Sequence, residues 1–520
     1  LVSYPAGDFF QDYRSSTVSD GAAAPPLRTE GLGRTKNHRS FLDYQPDSGP
    51  DRTGDAEDQV ATAAMNRAAN TVSTDKNPGR AVVVGLGVTG LSCIRYLDSL
   101  GVSLTVMDTR VEPPYLETLS RFYPHIDLHA GSLDTAVAKD TDLLVMSPGV
   151  ALTEPAVLEA INAGVEVVGD IELFARDCTA PVIAVTGSNG KSTVTTLIGR
   201  LAEAAGRNVL VGGNIGRPAL ELLAEPQPDC YVLELSSFQL ETTSTLNPRC
   251  AAILNIAEDH MDRYKSAKDY ARAKARITQG AAVVITRRHD AIHQLLDLES
   301  DTQHITFGLD EPTGPNDYGL VTDERDSWLV RGGHHLVSVA ELELSGAHNV
   351  ANALAALAST EALFGATSAP GLEALRGFQG LPHRCEVIDD RDDIIWVNDS
   401  KGTNPAATVA ALEGMNRPVV LIAGGQSKGA DLSILADAVR RYARQAVLFG
   451  EDRNKVAAAI GRRVPLTMAD DLEHAVSLAA SWAQPGDAVV LSPACASFDM
   501  FEDFQQRGEA FRQLVKEQLR

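Results

Sequence analysis

The sequence predicts an α/β protein of three domains, and three observations lead there. Its 520 residues exceed what one hydrophobic core supports. Short apolar runs alternate with helical stretches, the pattern of parallel βαβ units whose helices cover the sheet. That alternation begins near Gly79, restarts at VIAVTG and restarts again near Glu386. The expected divisions are residues 79–176, 177–379 and 380–520, preceded by an N-terminal extension over 1–78.

The first series reads AVVVGL, a helix ending at Gly101, SLTVMD, a Pro-flanked helix, DLLVMSPG and EVVGD. The second runs through VIAVTG, YVLELSS, AAILNI and AAVVIT, and the third through EVIDDRDDIIWVNDS, PVVLIAGG, QAVLFG and AVVLSPA. Residues 1–78 are rich in Asp, Ser, Ala, Gly and Pro without a sustained apolar period, so disorder is expected there. Met65 lies shortly before the first strand, which suggests a start site read too early.

Composition narrows the function. With 44% apolar and 22% charged residues the chain has ample material for several cores. A formal charge of -23 repels a phosphate backbone, so no nucleic-acid partner is expected, and any phosphate must be gripped locally by backbone amides and a few cations. Small nucleotides fit that requirement. The six cysteines are scattered without zinc or redox spacing and read as reduced, mostly buried thiols. No apolar run reaches the eighteen or so residues of a membrane span, and no basic patch precedes an apolar stretch at the N-terminus. The expectation is a cytoplasmic protein without membrane insertion.

Ligands of open α/β sheets bind beyond the carboxyl ends of the strands, so the chemistry is sought in the segments that follow them. Gly187-Ser188-Asn189-Gly190-Lys191-Ser192, with Thr193 behind it, lies between a strand and a helix. That arrangement gathers backbone N–H groups and a helix N-terminus around a phosphate, with Lys191 at the β/γ-phosphates and Ser192 at magnesium. Val185 stands where the eight-residue P-loop pattern has its first glycine.

Gly85-Leu-Gly-Val-Thr-Gly90, followed by Asp108 at the end of the second strand, imitates a dinucleotide fingerprint. A nicotinamide cofactor is one reading. The other is a nucleotide-linked substrate held by Thr89, Asp108, Thr109, Arg110, Ser147 and Gly149.

Asn255-Ile-Ala-Glu-Asp-His260 brings acids and an imidazole to a strand end, with Glu234 at another, as a hard or borderline cation requires. Tyr270 and Lys274 lie one helical turn apart; alone, Lys274 reads as a solvated surface lysine. Arg384 has the fork geometry suited to phosphate, and Asp399 could orient a ribose or a water behind the ligands. Asn404 reads as a cap for a helix beginning near Pro405. Gly424-Gly-Gln-Ser-Lys428 and Ser492-Pro-Ala-Cys-Ala-Ser497 are either glycine-rich turns or the place where Lys428 and Ser497 meet an anionic substrate.

Taken in order, VVVGLGVTGLSC, SPG, GDIELF, TGSNGKST, GNIG, LELSSFQLE, NIAEDHMDRY, AHNVANALAA, LPHR, NDSKGTN and SPACASFDMF resemble the Mur ligase family, and within it the branch that adds D-glutamate. The likeness runs from about residue 80 to the C-terminus. It implies a Rossmann-like nucleotide-sugar domain, a central P-loop ATPase-like domain and a Rossmann-like C-terminal domain. The implied activity is ATP-dependent joining of D-glutamate to UDP-N-acetylmuramoyl-L-alanine through an acyl phosphate, in peptidoglycan and cell wall synthesis, by a monomer.

Carried over by position, Thr89, Asp108, Thr109, Arg110, Ser147 and Gly149 would hold the UDP portion. Lys191 and Ser192 would handle ATP phosphates and magnesium, while Asn214, Glu234 and His260 face two metal ions and the reacting groups. Lys274 is implied to be carbamylated, a magnesium ligand rather than a surface cation. Asn349, Asn352, Arg384 and Asp399 resemble the family's adenine, phosphate and ribose contacts. Lys401, Thr403, Lys428, Ser497 and Phe504 resemble its D-glutamate pocket. Lys428 stands where relatives adding diaminopimelate carry a D-x-P-R motif.

Overall fold

A computed structural model describes residues 78–518 other than 324, 325 and 345. The extension over 1–77, and with it the expectation of disorder and the reading of Met65, lies outside the described residues. Three sheets follow one another along the chain. The first is fully parallel, in the spatial order Asp127–Ala130, Ser103–Asp108, Arg80–Val84, Leu143–Met146, Glu166–Gly169. Its three inner strands carry Val and Leu on both faces and are buried, as strands covered by helices on two sides must be. Asp127–Ala130 is a mostly exposed edge with no apolar run, and sequence reading passed over it for that reason.

The second sheet has nine strands. Its parallel part contains Val182–Thr186 between Cys230–Glu234 and Cys250–Ile253, and the long helices Lys191–Ala204 and Ala347–Phe364 pack together over it. Beyond Gln303–Phe307 the sheet ends in a meander, where Tyr318–Thr322, Ser327–Arg331 and His334–Ser338 include two antiparallel pairings. Strictly parallel units were expected here; the tight connections between these strands leave no room for crossover helices.

The third sheet departs from the expectation in the same way at its start. EVIDDRDDIIWVNDS folds as an antiparallel hairpin, Glu386–Arg391 against Ile394–Asn398, turning at Asp392 and Asp393, both in the left-handed region. Four further strands are parallel.

Each sheet reverses its strand order once. The reversals fall between Arg80–Val84 and Leu143–Met146, between Val182–Thr186 and Cys250–Ile253, and between Val419–Gly424 and Ala488–Leu491. Loops diverge at such a point and open a crevice. The three crevices are walled by Gly85–Gly90 with Ser147–Gly149, by the Gly187–Ser192 loop with Asn255, and by Gly424–Lys428 with Ser492–Ser497.

The domains are joined unequally. One apolar cluster passes without break from the first sheet through Ile171 and Phe174 to Tyr231 and Leu233 of the second. Glu172 adds a polar weld, accepting from the Ser244 and Thr245 amides at 2.7 and 3.0 Å and from the Thr245 hydroxyl at 2.8 Å. The third sheet keeps its own two clusters, one on each face. No described helix is long and apolar enough to cross a membrane.

Candidate active site

The phosphate-loop segment is shaped by one glycine above all. Gly190, at φ 86°, is the residue before the helix Lys191–Ala204, and a Cβ there would stand 2.4 Å from Asn352 Oδ1. Only glycine meets both conditions without strain. Lys191 folds back so that its ammonium donates to the carbonyls of Gly187 (2.8 Å) and Ser188 (3.0 Å). Thr193 faces the neighbouring cleft.

Beneath the loop lies a network of ionic and hydroxyl groups. The Ser192 hydroxyl donates to Glu234 Oε2 and accepts from the Arg384 guanidinium, while Asn214 Nδ2 donates to Glu234 Oε1 at 2.9 Å. Glu234 is 3% exposed. Burial raises its pKa, but the charges of Lys191 and Arg384 and its two hydrogen bonds outweigh that and hold the carboxyl below its ordinary range. The site therefore keeps an ionised carboxylate next to a hydroxyl.

His260 sits at φ 59° with its ring edge-on to Phe238, 4.8 Å between centroids. Burial pushes its pKa down to about 4, so the imidazole is neutral near pH 7 and can offer a lone pair. Lys274 overturns the reading of a solvated lysine: it is 1% exposed. Helix Ala267–Ala275 turns Tyr270 and Lys274 inward together, and the amine lies 4.6 Å from the Tyr270 ring centroid and 3.4 Å from the Thr186 hydroxyl. Burial, helped by the charge of Lys191, drives its pKa well below that of a free lysine.

A cleft of about 1160 Å³, measured to its open mouth, collects much of the predicted set. Ser188, Asn189, Gly190, Lys191, Asn214, Glu234, His260 and Lys274 line one side, Gly149 another, and Arg384, Lys401, Thr403, Lys428, Ser497 and Phe504 the side formed by the third domain. Lys401 Nζ lies 3.7 Å from the Phe504 ring centroid, and burial brings its pKa down to about 7.

A second cleft, of about 830 Å³, adjoins it and shares Asn189, Gly190, Arg384 and Lys401. Asn349, Asn352, Thr193 and Asp399 line it with Leu254, Phe307 and Leu344, a partly apolar slot with amides at its rim. The Asp399 carboxyl accepts from the Ser492 hydroxyl (2.7 Å) and the Cys385 amide (3.2 Å), and burial lifts its pKa to about 6.

Thr89, Asp108, Thr109, Arg110 and Ser147 line neither cleft. They lie at or just beyond the carboxyl ends of the first sheet's strands, with Asp108 closing one strand and Thr89 in the first turn of a helix, and Ser147 leads through Pro148 to Gly149 at the main cleft. Asp108 is 2% exposed, with its carboxylate accepting from the Leu86 amide (2.7 Å) and from the Arg110 Nε (2.9 Å) and Nη2 (2.7 Å).

Sequence reading missed Asp259, Phe238 and the apolar slot. Asp259 lay inside a segment already singled out for its acids. Phe238 carries the Arg263 guanidinium 4.1 Å above its ring, and Arg263 in turn donates to the carbonyls of Pro148 and Val150, tying the first domain to the cleft. No sequence signal separates such a phenylalanine from core. Asn404 is the helix cap it was expected to be, accepting from the Ala407 amide at 2.9 Å, and it also reaches across the cleft.

Three family models match the chain in succession: a Mur ligase MurD-like N-terminal domain over residues 79–169, a Mur ligase middle domain over 185–360, and a Mur ligase glutamate ligase domain over 383–495. A UDP-N-acetylmuramoylalanine–D-glutamate ligase of Nitrosococcus oceani is 50% identical over 441 residues, covering 84% of this chain and 96% of that one. The chain belongs to the Mur ligase family. A protein of the same name from Marinobacter nauticus is 48% identical over 441 residues, covering 84% and 98%. Among solved structures, the UDP-N-acetylmuramate-alanine ligase of Thermotoga maritima superposes with a TM-score of 0.55 at 20% identity, covering 84% of this chain and 99% of that one. That likeness speaks for the three-domain Mur ligase fold.

Proposed function

We propose that this Mur ligase uses ATP to join D-glutamate to UDP-N-acetylmuramoyl-L-alanine, releasing ADP and phosphate. The observation that carries the reading is the main cleft, where a phosphate loop backed by Glu234 faces Lys401, Thr403, Lys428, Ser497 and Phe504. The names of the relatives that are 48 to 50% identical agree with it. The proposed domains are 79–176 for the UDP substrate, 177–379 for ATP and 380–520 for the amino acid, in a cytoplasmic monomer.

A carboxylate is a poor electrophile, so its oxygen must first become a leaving group. Phosphoryl transfer from ATP makes an acyl phosphate, and Lys191 would swing from its own loop carbonyls to the β/γ-phosphates. Asn349 and Asn352 would face adenine in the apolar slot, with Arg384 on phosphate and Asp399 at the ribose. Thr89, Asp108, Thr109, Arg110, Ser147 and Gly149 would hold the UDP end.

The oxygen donors suit magnesium: Ser192 and Glu234 supply a hydroxyl and a carboxylate in contact with each other, and His260 would stand near them as a neutral imidazole. The described residues contain no group of three or more His, Cys, Asp or Glu placed to hold a metal, so the remaining ligands would be phosphates, water and Lys274, as is usual for this ion. Magnesium, when bound, supplies neutralisation of the charge on the transferring phosphoryl group. Lys274 becomes a ligand if its neutral amine adds to carbon dioxide, forming an N–C bond and losing a proton; burial favours the neutral form that this needs.

D-Glutamate would then lie with its carboxylates toward Lys401, Lys428, Thr403 and Ser497, and its neutral amine would displace phosphate from the acyl phosphate. Phosphate release from ATP should require both UDP-N-acetylmuramoyl-L-alanine and D-glutamate. Equal release with L-glutamate or diaminopimelate would defeat the assignment.

A further inference from the structure

The third domain reaches the phosphate-loop segment through Arg384, which donates to Ser192, and through Asn404, which is 3% exposed. Its Oδ1 caps the helix Pro405–Gly414 through the Ala407 amide, at 2.9 Å. Ser or Asp would cap as well. What only an amide supplies here is the Nδ2 group, and that is directed across the cleft, to Asn189 Oδ1 at 3.1 Å and Asp259 Oδ2 at 3.3 Å. Asn189 returns the bond, its Nδ2 donating to Asn404 Oδ1 at 3.3 Å.

The far side of this pair is itself fixed. The Asn189 amide donates to Asn255 Oδ1 and its carbonyl accepts from Asn255 Nδ2, both at 2.9 Å. A relay of three asparagines thus runs from the strand end after Cys250–Ile253, through the phosphate loop, into the third domain. It terminates beside Thr403, with the Pro405 ring holding the chain that follows.

We propose that Asn189 and Asn404 form an interdomain latch that couples the position of the phosphate loop to that of Lys401 and Thr403. Both are positioning residues. The latch makes the amino-acid loop correctly placed only when the phosphate loop is, so that the amine arrives where the acyl phosphate is made. What the two loops hold rests on the function proposed above; the contact between them does not.

The test is a double-mutant cycle with Asn404→Ser and Asn189→Ala in the full chain, read by kinetics and by small-angle scattering. Serine keeps the helix cap but is too short to cross the cleft, so the melting midpoint of Asn404→Ser should stay at the wild-type value. We expect kcat/KM for D-glutamate to fall about tenfold in Asn404→Ser, through kcat more than through the KM for ATP, as loss of a hydrogen-bonded contact at a positioned site entails. Adding Asn189→Ala should then cost nothing further, because the partner is already gone. Losses that multiply in the double variant, or wild-type kcat/KM in Asn404→Ser, overturn the proposal. If the wild-type chain ligates no amino acid, the functional reading falls, and scattering judges the latch: expansion in Asn404→Ser that is not increased by adding Asn189→Ala supports it, and profiles identical to wild type refute it.

Discussion

Replacing Lys274 by methionine separates stability from activity in this protein. The lysine is 1% exposed, its amine has one long hydrogen bond, to Thr186 at 3.4 Å, and it forms no ion pair among the described residues. An amine buried with so little compensation costs about 1–3 kcal/mol. Methionine keeps the volume of the stem and removes the polar end. In buffer depleted of carbon dioxide, Lys274→Met should therefore be more stable by about 1–3 kcal/mol, a rise of roughly 2–4 °C per kcal/mol in the midpoint of the central domain. With carbon dioxide present, ligation should fall by roughly 10²–10³-fold relative to wild type, the loss expected when a charged group at a phosphoryl-transfer site is removed. Scanning calorimetry and phosphate release measure the two effects. In Lys274→Ala, small carboxylates should restore part of the activity by occupying the vacated place. A destabilised Lys274→Met variant in carbon-dioxide-free buffer, or wild-type turnover by that variant with carbon dioxide present, would refute the assignment of Lys274 as a buried amine kept for carbamylation.

Other substitutions probe separate parts of the account. Lys191→Ala should abolish ligation while leaving the circular dichroism spectrum near wild type, with a lower melting midpoint because two loop carbonyls lose their donor and Glu234 a nearby charge; full activity would remove the phosphate loop from the mechanism. Gly190→Ala combines a φ of 86° with an approach of 2.4 Å to Asn352, and should cost about 1–3 kcal/mol and weaken nucleotide binding measured by calorimetric titration. The ratio of wild type to Lys401→Arg in kcat/KM for D-glutamate should fall about tenfold per pH unit above pH 7, because the lysine, with a pKa of about 7, discharges there and arginine does not; a flat ratio from pH 6 to 9 would count against Lys401 as an anion contact. Asp170 is 1% exposed, with Oδ1 unpartnered among the described residues and its pKa raised by burial from 3.8 to about 6. Because the folded state binds the proton more tightly than the unfolded state, this residue lowers stability as pH rises from 4 to 6. Asp170→Asn should therefore gain about 2–3 kcal/mol at pH 7 and nothing below pH 4, followed by thermal denaturation across that range.

Much of this organisation was legible in the chain itself. VIAVTG, YVLEL and AAILNI are strands because they are apolar on both faces, and the residues that follow them are site residues because strand ends are where parallel sheets open. What sequence could not show was burial at a distance. Lys274 reads as a surface cation because helix Ala267–Ala275 carries Lys, Arg and Asp around it; only packing against Tyr270 and Thr186 turns it inward. The strand Asp127–Ala130 has no apolar run, and the hairpin at Asp392–Asp393 turns on left-handed aspartates rather than on glycine. Asp108 was legible as a strand-end acid, but its engagement by Leu86 and Arg110 was not, since both contacts depend on how the first loop folds back.

The central claim is that the phosphate loop hands a phosphoryl group to a carboxylate in the cleft shared with Lys401 and Lys428. Oxygen labelling tests it directly: UDP-N-acetylmuramoyl-L-alanine carrying ¹⁸O in its alanyl carboxylate is ligated to D-glutamate, and the released phosphate is analysed by mass spectrometry. The account predicts one ¹⁸O in the phosphate for every amide formed. Amide formation with unlabelled phosphate would contradict it.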